Sequence, residues 1–215
     1  KLTKAGCNFK KDVIEVIPAA HSILAGLLVD INAATSVKGL FAAGENATGI
    51  HGAGRLAGNG LTSCVVMGRT AGKSANNFTK TQANSYQQSK FSPRLPNKEI
   101  IDFSSIKAII KNIRYLVGNS LGIIRNDLDL SKTQTELKNI SRQIQSLGVE
   151  SVNHWEAKQM ASLANLMIKA TLRRKENDGV QFKSKHQEQN EQRGLMQTVH
   201  KAQDNRLIWN NIRLN

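Results

Sequence analysis

The sequence predicts an α/β portion, incomplete as a domain, followed by an all-α helical bundle. Three observations carry this. Residues up to about 78 are rich in Ala, Gly, Val and Leu and contain a strand, a glycine-rich loop and a helix in that order. From residue 99 onward, apolar residues recur at spacings of three and four, the period of an amphipathic helix. Between them, TKTQANSYQQSKFSPRLPNK (79–98) is polar and holds Pro93 and Pro96, the composition of a linker. The expected division is 1–78, a linker at 79–98, a bundle at 99–180, and 181–215 as a polar tail of uncertain order.

Taken in order, VKGLFAAGE (37–45) is a short apolar run closed by Gly44, which predicts a buried strand over 39–43 entering a tight turn. Residues 44–60, GENATGIHGAGRLAGNG, hold six glycines. From Asn59 or Gly60, apolar and small residues at Leu61, Cys64, Val65, Gly68 and Ala71 predict a helix able to pack closely. Strand, glycine loop and helix N-terminus together form the arrangement that binds phosphates and cofactors in many α/β proteins.

In the second half, 101–125 predicts helices broken near Gly118 and Asn119, with Ser104 or Ser105 as N-cap. The next stripe is Leu130, Leu137, Ile140, Ile144 and Leu147, with Gly148 as its stop. A further stripe is Met160, Leu163, Ala164, Met167, Ile168 and Leu172. Arg173, Arg174 and Lys175 in its last turn suit the negative end of the helix dipole, and Gly179 is a C-terminal cap.

Apolar content of 40% suits a globular chain, and no apolar run approaches the roughly 18–20 residues that span a bilayer. Cys7 and Cys64 stand far apart with no Cys/His cluster, so neither a disulfide scaffold nor a metal site is expected. With no charged-then-apolar leader in the sequence, the expected compartment is the reducing cytoplasm. The chain opens mid-pattern without Met, which gives the expectation of a fragment. The net charge of +14 suggests a polyanion partner. Many of its cations, however, lie beyond residue 105 on helical, solvated faces, and aromatics make up only 5%, so nucleic acid is not the expected partner.

Two glycine motifs are set aside. GRTAGKSA (68–75) has three residues between its glycines where a P-loop needs four, and it sits inside a helical pattern. GAGRLAG (52–58) is one residue longer than the dinucleotide fingerprint and lacks the following acidic residue. Arg55 stands out, because a guanidinium ahead of a helix start can clamp a carboxylate with two hydrogen bonds. His21, between two small-residue stretches, is a candidate, although a lone histidine is more often structural than a ligand.

PAAHSILAGLLVD (18–30), GLFAAGE (39–45) and HGAGRLAGN (51–59), in this order, resemble the C-terminal part of the flavoprotein family of succinate dehydrogenase, fumarate reductase and L-aspartate oxidase. LGIIR (121–125) and EAKQMASLANLMIKATLRRKENDG (156–179) extend the likeness into the family's helical bundle. The resemblance covers about 18–179; the last thirty-odd residues match nothing in it.

The resemblance implies FAD as cofactor and a four-carbon dicarboxylate or L-aspartate as substrate. Glu45 would meet FAD sugar or ribityl hydroxyls, and Asn59, Gly60 and Leu61 would bring a helix N-terminus to the flavin's pyrimidine edge. His21 and Arg55 would hold substrate carboxylates, and His51 would support the loop or contact the flavin. The family's Asn before the arginine is Gly54 here, the serines after it are Gly58 and Gly60, and ESRG has become ENDG (176–179). No counterpart of the family's N-terminal half is in the sequence, nor its proton-transferring arginine, so no catalytic residue is assigned and the chain alone is expected to be inactive. The expected function is the C-terminal portion of an FAD-dependent oxidoreductase, with L-aspartate oxidase ahead because its bundle matches best. A succinate dehydrogenase or fumarate reductase flavoprotein with an iron–sulfur subunit is the alternative. A non-catalytic remnant or basic interaction module is a third reading, prompted by the altered glycine loop and the charge.

Overall fold

The computed structural model describes Asn8, Val13 and residues 19–82, 103–147, 151–184, 195–201 and 207–213. Pro18, Gly148 and most of the expected linker lie outside the described residues.

In the first half, β1 (Leu27–Leu28) pairs in parallel with β2 (Ala47–Thr48), Leu27 opposite Ala47. Between them, Asp30 organises a turn: its Oδ1 accepts from the Asn32 and Ala34 N–H groups at 2.8 and 2.9 Å. This turn holds Ala33 at φ +61, a left-handed conformation that costs a non-glycine residue roughly 1 kcal/mol or more. The strand expected over 39–43 is reduced to one antiparallel bridge, Phe41 with Ala34, flanked by hydrogen bonds from Thr35 to Leu40 and from Ala42 to Ala33. An apolar run becomes a longer strand only where a neighbour pairs its backbone on successive residues, and Gly39, at φ +84, turns the chain just before it.

A short 3-10 helix (Gly44–Asn46) leads into β2, and after loop 49–58 comes α1 (Asn59–Gln82). The helix continues past the expected boundary at 78 and encloses GRTAGKSA, which is helical throughout.

The bundle comprises α2 (Phe103–Ser120), α3 (Asp127–Ser146) and α4 (Val152–Arg173). α2 runs unbroken through Gly118 and Asn119, and Ser104 and Ser105 are helical rather than caps. A single internal glycine costs only about 1 kcal/mol, which the buried Ile106, Ile109 and Ile113 on the same helix outweigh. α3 starts on Asn126, whose side chain accepts from Asp129 N–H, and α4 on Ser151, which accepts from His154 N–H. His154 Nε2 lies 2.8 Å from the Ile144 carbonyl oxygen, tying α4 to α3.

On α3 the buried stripe is Leu130, Thr133, Leu137, Ile140 and Ile144, with Thr133 completing the helical spacing; Leu147, expected in it, is the exposed C-cap. On α4 the core face is Ala157, Ala161, Ala164, Ile168 and Thr171; of the expected stripe, Ala164 and Ile168 are buried, Met160 and Leu172 pack against the core, and Leu163 is about half exposed. Three alanines at spacings of four and three let the α4 backbone approach its neighbours closely, with Met160 and Leu172 packed at the edge of the cluster. Beyond α4, the region expected as a polar tail holds an antiparallel hairpin, β3 (Leu195–Lys201) with β4 (Leu207–Arg213), pairing Val199 with Trp209. The Arg173 guanidinium sits 5.4 Å over the Trp209 ring, a cation–π contact.

Candidate functional site

The site begins where β1 meets β2. A Cβ on Gly26 would lie 2.4 Å from the Asn46 carbonyl oxygen, so only glycine allows these backbones to meet. Gly44, at φ +68, brings the 3-10 turn against α1; a Cβ there would lie 2.9 Å from Cys64 Sγ. The next residue is Glu45, whose Oε1 accepts from Ile23 N–H at 2.8 Å. This carboxylate thereby fastens the segment carrying the exposed His21 two residues earlier.

In loop 49–58, Gly49, Gly52 and Gly58 have φ of +113, +56 and +84, and a Cβ at any of them would meet nothing within 4 Å among the described residues. They are demanded by the path of the backbone, not by crowding. The loop carries the half-buried Arg55 to the start of α1. Its guanidinium folds over Gly60, where a Cβ would stand 3.0 Å from Nη1 and 3.3 Å from Cζ, and Nη1 reaches the Leu56 carbonyl at 3.5 Å. Asn59 N–H donates to Leu56 O at 3.3 Å and closes the loop onto the helix, while Leu61 is exposed.

His51 joins the same turn, its Nε2 3.4 Å from Ser63 Oγ. The Ser63 hydroxyl donates to the Gly60 carbonyl at 2.7 Å, so the His51 contact is a hydrogen bond only with the imidazole proton on Nε2. A guanidinium at the positive end of a 24-residue helix, with no acidic residue in its first turn, concentrates positive charge there, and no ion pair among the described residues involves Arg55. The arrangement favours an anion. Arg55, Gly60 and His51 are thus brought together; no hydrogen bond or ion pair among the described residues joins His21 to Arg55.

A second wall comes from the bundle, and sequence reasoning missed it. α4 ends at Arg173, with Arg174 as cap, so Gly179 does not terminate the helix. It lies at φ +56 in a turn where Asp178 and Gln181 exchange backbone hydrogen bonds of 3.2 and 2.9 Å. This turn docks on the glycine loop. Val180 N–H donates to Ala53 O at 3.0 Å, and a Cβ on Gly179 would stand 2.1 Å from that oxygen. Gly54 faces it, with its would-be Cβ 3.4 Å from Gly179 Cα.

The turn is anchored in the bundle. Lys183 is only 3% exposed, and its Nζ finds Asp127 Oδ1 at 2.8 Å, Arg174 O at 2.7 Å and Leu172 O at 3.5 Å, three acceptors for three N–H donors. Asn177 accepts from Lys183 N–H at 2.8 Å and donates to Lys183 O at 3.2 Å. Arg125 donates to Gly122 O and to the Gln181 side chain, and its own N–H donates to Phe182 O. Burial, and secondly the Arg174 charge, push the Arg125 guanidinium below its ordinary pKa. Arg174 Nε lies 2.5 Å from Glu176 Oε1, an ion pair by proximity without hydrogen-bond alignment.

Residues 4–61 match the FAD binding domain family, and residues 110–215, hairpin included, match the fumarate reductase flavoprotein C-terminal family. An FAD-dependent oxidoreductase of Methanocaldococcus jannaschii is 31% identical over 88% of this chain and 36% of its own length. An L-aspartate oxidase of Mesorhizobium japonicum is 39% identical over 84% of this chain and 31% of its own. The chain spans about a third of the length of these curated relatives. Among solved structures, a quinol–fumarate reductase superposes with a TM-score of 0.77 at 21% identity, covering 99% of this chain and 40% of that one. Sdh1 of Mycobacterium smegmatis gives 0.72 at 23%, covering 98% and 38%. At these identities the superpositions speak for the fold. No helix among the described residues is long and apolar enough to cross a membrane.

Proposed function

The chain belongs to the FAD flavoprotein family of succinate dehydrogenase, fumarate reductase and L-aspartate oxidase, and from that membership we propose that it forms one wall of the flavin and substrate site of an L-aspartate oxidase. The reaction would be oxidation of L-aspartate to iminoaspartate. The observation that carries this reading is the Arg55 guanidinium laid against the first turn of α1, which has no acidic residue of its own.

The residues present fit the cofactor. An acid-free helix N-terminus meets open space at Gly49, Gly52 and Gly58, and Glu45 presents a carboxylate beside it with Oε1 engaged by the backbone. When bound, FAD supplies the electron acceptor for the substrate's hydride. Glu45 would receive its hydroxyls through Oε2. The N–H groups of Gly60 and Leu61 would stabilise negative charge at the ring edge, while Asn59 N–H, given to Leu56 O, fixes the turn that presents them. Arg55 grips one substrate carboxylate in a bidentate pair, and His21 meets the other end, which orients the carbon that is oxidised. His51, braced by Ser63, keeps the loop against α1. General acid–base chemistry and the rest of the flavin site fall to the family's N-terminal half, so the active species is the complete polypeptide or a complex with that half.

The name L-aspartate oxidase rests on curated relatives up to 39% identical, above the identity of the solved succinate dehydrogenase and fumarate reductase structures. The test uses the full-length gene product, purified and titrated anaerobically. Bound flavin should be bleached by L-aspartate and not by succinate. Bleaching by succinate alone would transfer the assignment to a dehydrogenase flavoprotein working with an iron–sulfur subunit, and absence of flavin would end the enzyme reading. Arg55→Lys should raise the L-aspartate KM by about tenfold or more, because a point charge cannot replace a planar fork.

A further inference from the structure

We propose that the turn at 178–181 is a strut by which the helical bundle positions Arg55, acting through the carbonyl of Ala53. The proposal rests on the reading of Arg55 as a carboxylate clamp and adds what holds it in place. Loop 49–58 has little internal restraint: three of its glycines are left-handed and their surroundings are open. A loop of this composition has high conformational entropy, and an arginine carried on it loses alignment unless the backbone is fixed from outside.

Two anchors bracket Arg55. On the far side, Asn59 N–H donates to Leu56 O and ties the loop to α1. On the near side, Val180 N–H donates to Ala53 O, the one backbone hydrogen bond among the described residues between this loop and the helical half. Ala53 and Arg55 are two residues apart, so fixing one carbonyl leaves the arginine Cα a radius of at most about 7 Å.

The strut is itself rigid for identifiable reasons. Gly179 must be glycine twice over, since its φ is +56 and a Cβ would run into Ala53 O. Behind it, Asn177 clamps both backbone groups of Lys183, and the Lys183 ammonium joins α3 at Asp127 to the last carbonyls of α4. Gln181 is held by Arg125. The bundle ends are thus connected to the loop through backbone and side-chain bonds with no flexible step between them. Gly54, where the family has Asn, faces Gly179 Cα at contact distance and lets the turn approach.

The test is made in the full-length polypeptide with Gly179→Ala, and with Asn177→Ala as a milder variant should the first fail to fold. Either change should speed hydrogen exchange of the Val180 amide, the donor to Ala53 O, by about tenfold while exchange in the cores of α3 and α4 stays unchanged. With whichever of L-aspartate and succinate reduces the flavin, KM should rise by about tenfold and kcat by far less. In an Arg55→Lys background the same change should add nothing further, because the arginine whose placement it disturbs is gone. Unchanged exchange of the Val180 amide in both variants, or a KM rise that simply adds to that of Arg55→Lys, would overturn the proposal. Should Arg55→Lys alone leave KM untouched, the clamp reading fails instead, and hydrogen exchange still decides whether the turn holds the loop.

Discussion

The two halves of this chain hold their apolar residues differently. In the bundle, eleven apolar side chains from α2, α3 and α4, from Ile106 to Ile168, form one buried cluster. Among the described residues of the α/β half, the buried apolar ones are only Ala33, Ala42 and Ala47, and α1 buries none of its residues. Leu61, Val65 and Val66 on α1 are exposed by 82, 72 and 58%. A helix satisfies its own backbone, so three consecutive helices can close a core among themselves. Strand segments satisfy theirs only against neighbours distant in sequence, and the pieces seen here are two residues long. The bundle is therefore expected to carry the stability of the chain, and the α/β half its chemistry.

Substitutions can break or sharpen this contrast. Leu137→Ala, at a fully buried position, should cost about 2–5 kcal/mol in urea unfolding; a loss below 1 kcal/mol would mean the cluster is not a packed core. Lys183→Met should cost about 1–3 kcal/mol, since the carbonyls of Leu172 and Arg174 lose their donor. Removing the α4 cap with Ser151→Ala should lower stability by about 1 kcal/mol, visible as a lower thermal midpoint. At the small end, Leu61→Gln and Val65→Gln should change unfolding free energy by no more than about 0.5 kcal/mol. An effect from either comparable to Leu137→Ala would show that α1 is covered as firmly as the bundle.

Much of the bundle was legible in the sequence, because a 3.6-residue period needs no knowledge of what lies opposite. Leu130, Leu137, Ile140 and Ile144 were placed on one face and are buried. α4 was placed in part: Ala164 and Ile168 were expected on the core face, while the packing added Ala157 and Ala161, because helices that approach closely prefer small residues between them. Gly118 was weighed as a breaker, and three buried isoleucines of α2 overrode it. At the site, Arg55 was singled out from residue type and its place ahead of a helix, whereas Glu45, His51 and the role of Gly60 came only from the family resemblance. What Gly179 touches was not accessible in that way, since a left-handed glycine after a helix has the same local signature whether it caps the helix or docks elsewhere.

The sequence by itself determined which segments are helical, where the glycine loop stands, and that an arginine precedes a helix N-terminus, because these depend on chemistry within a few residues. Only the tertiary structure decided that Ala53 and Val180, 127 positions apart in the numbering, share a hydrogen bond, and that Glu45 holds the segment of His21. Contacts of that kind depend on how independently formed elements meet in space, and local periodicity carries no information about the meeting.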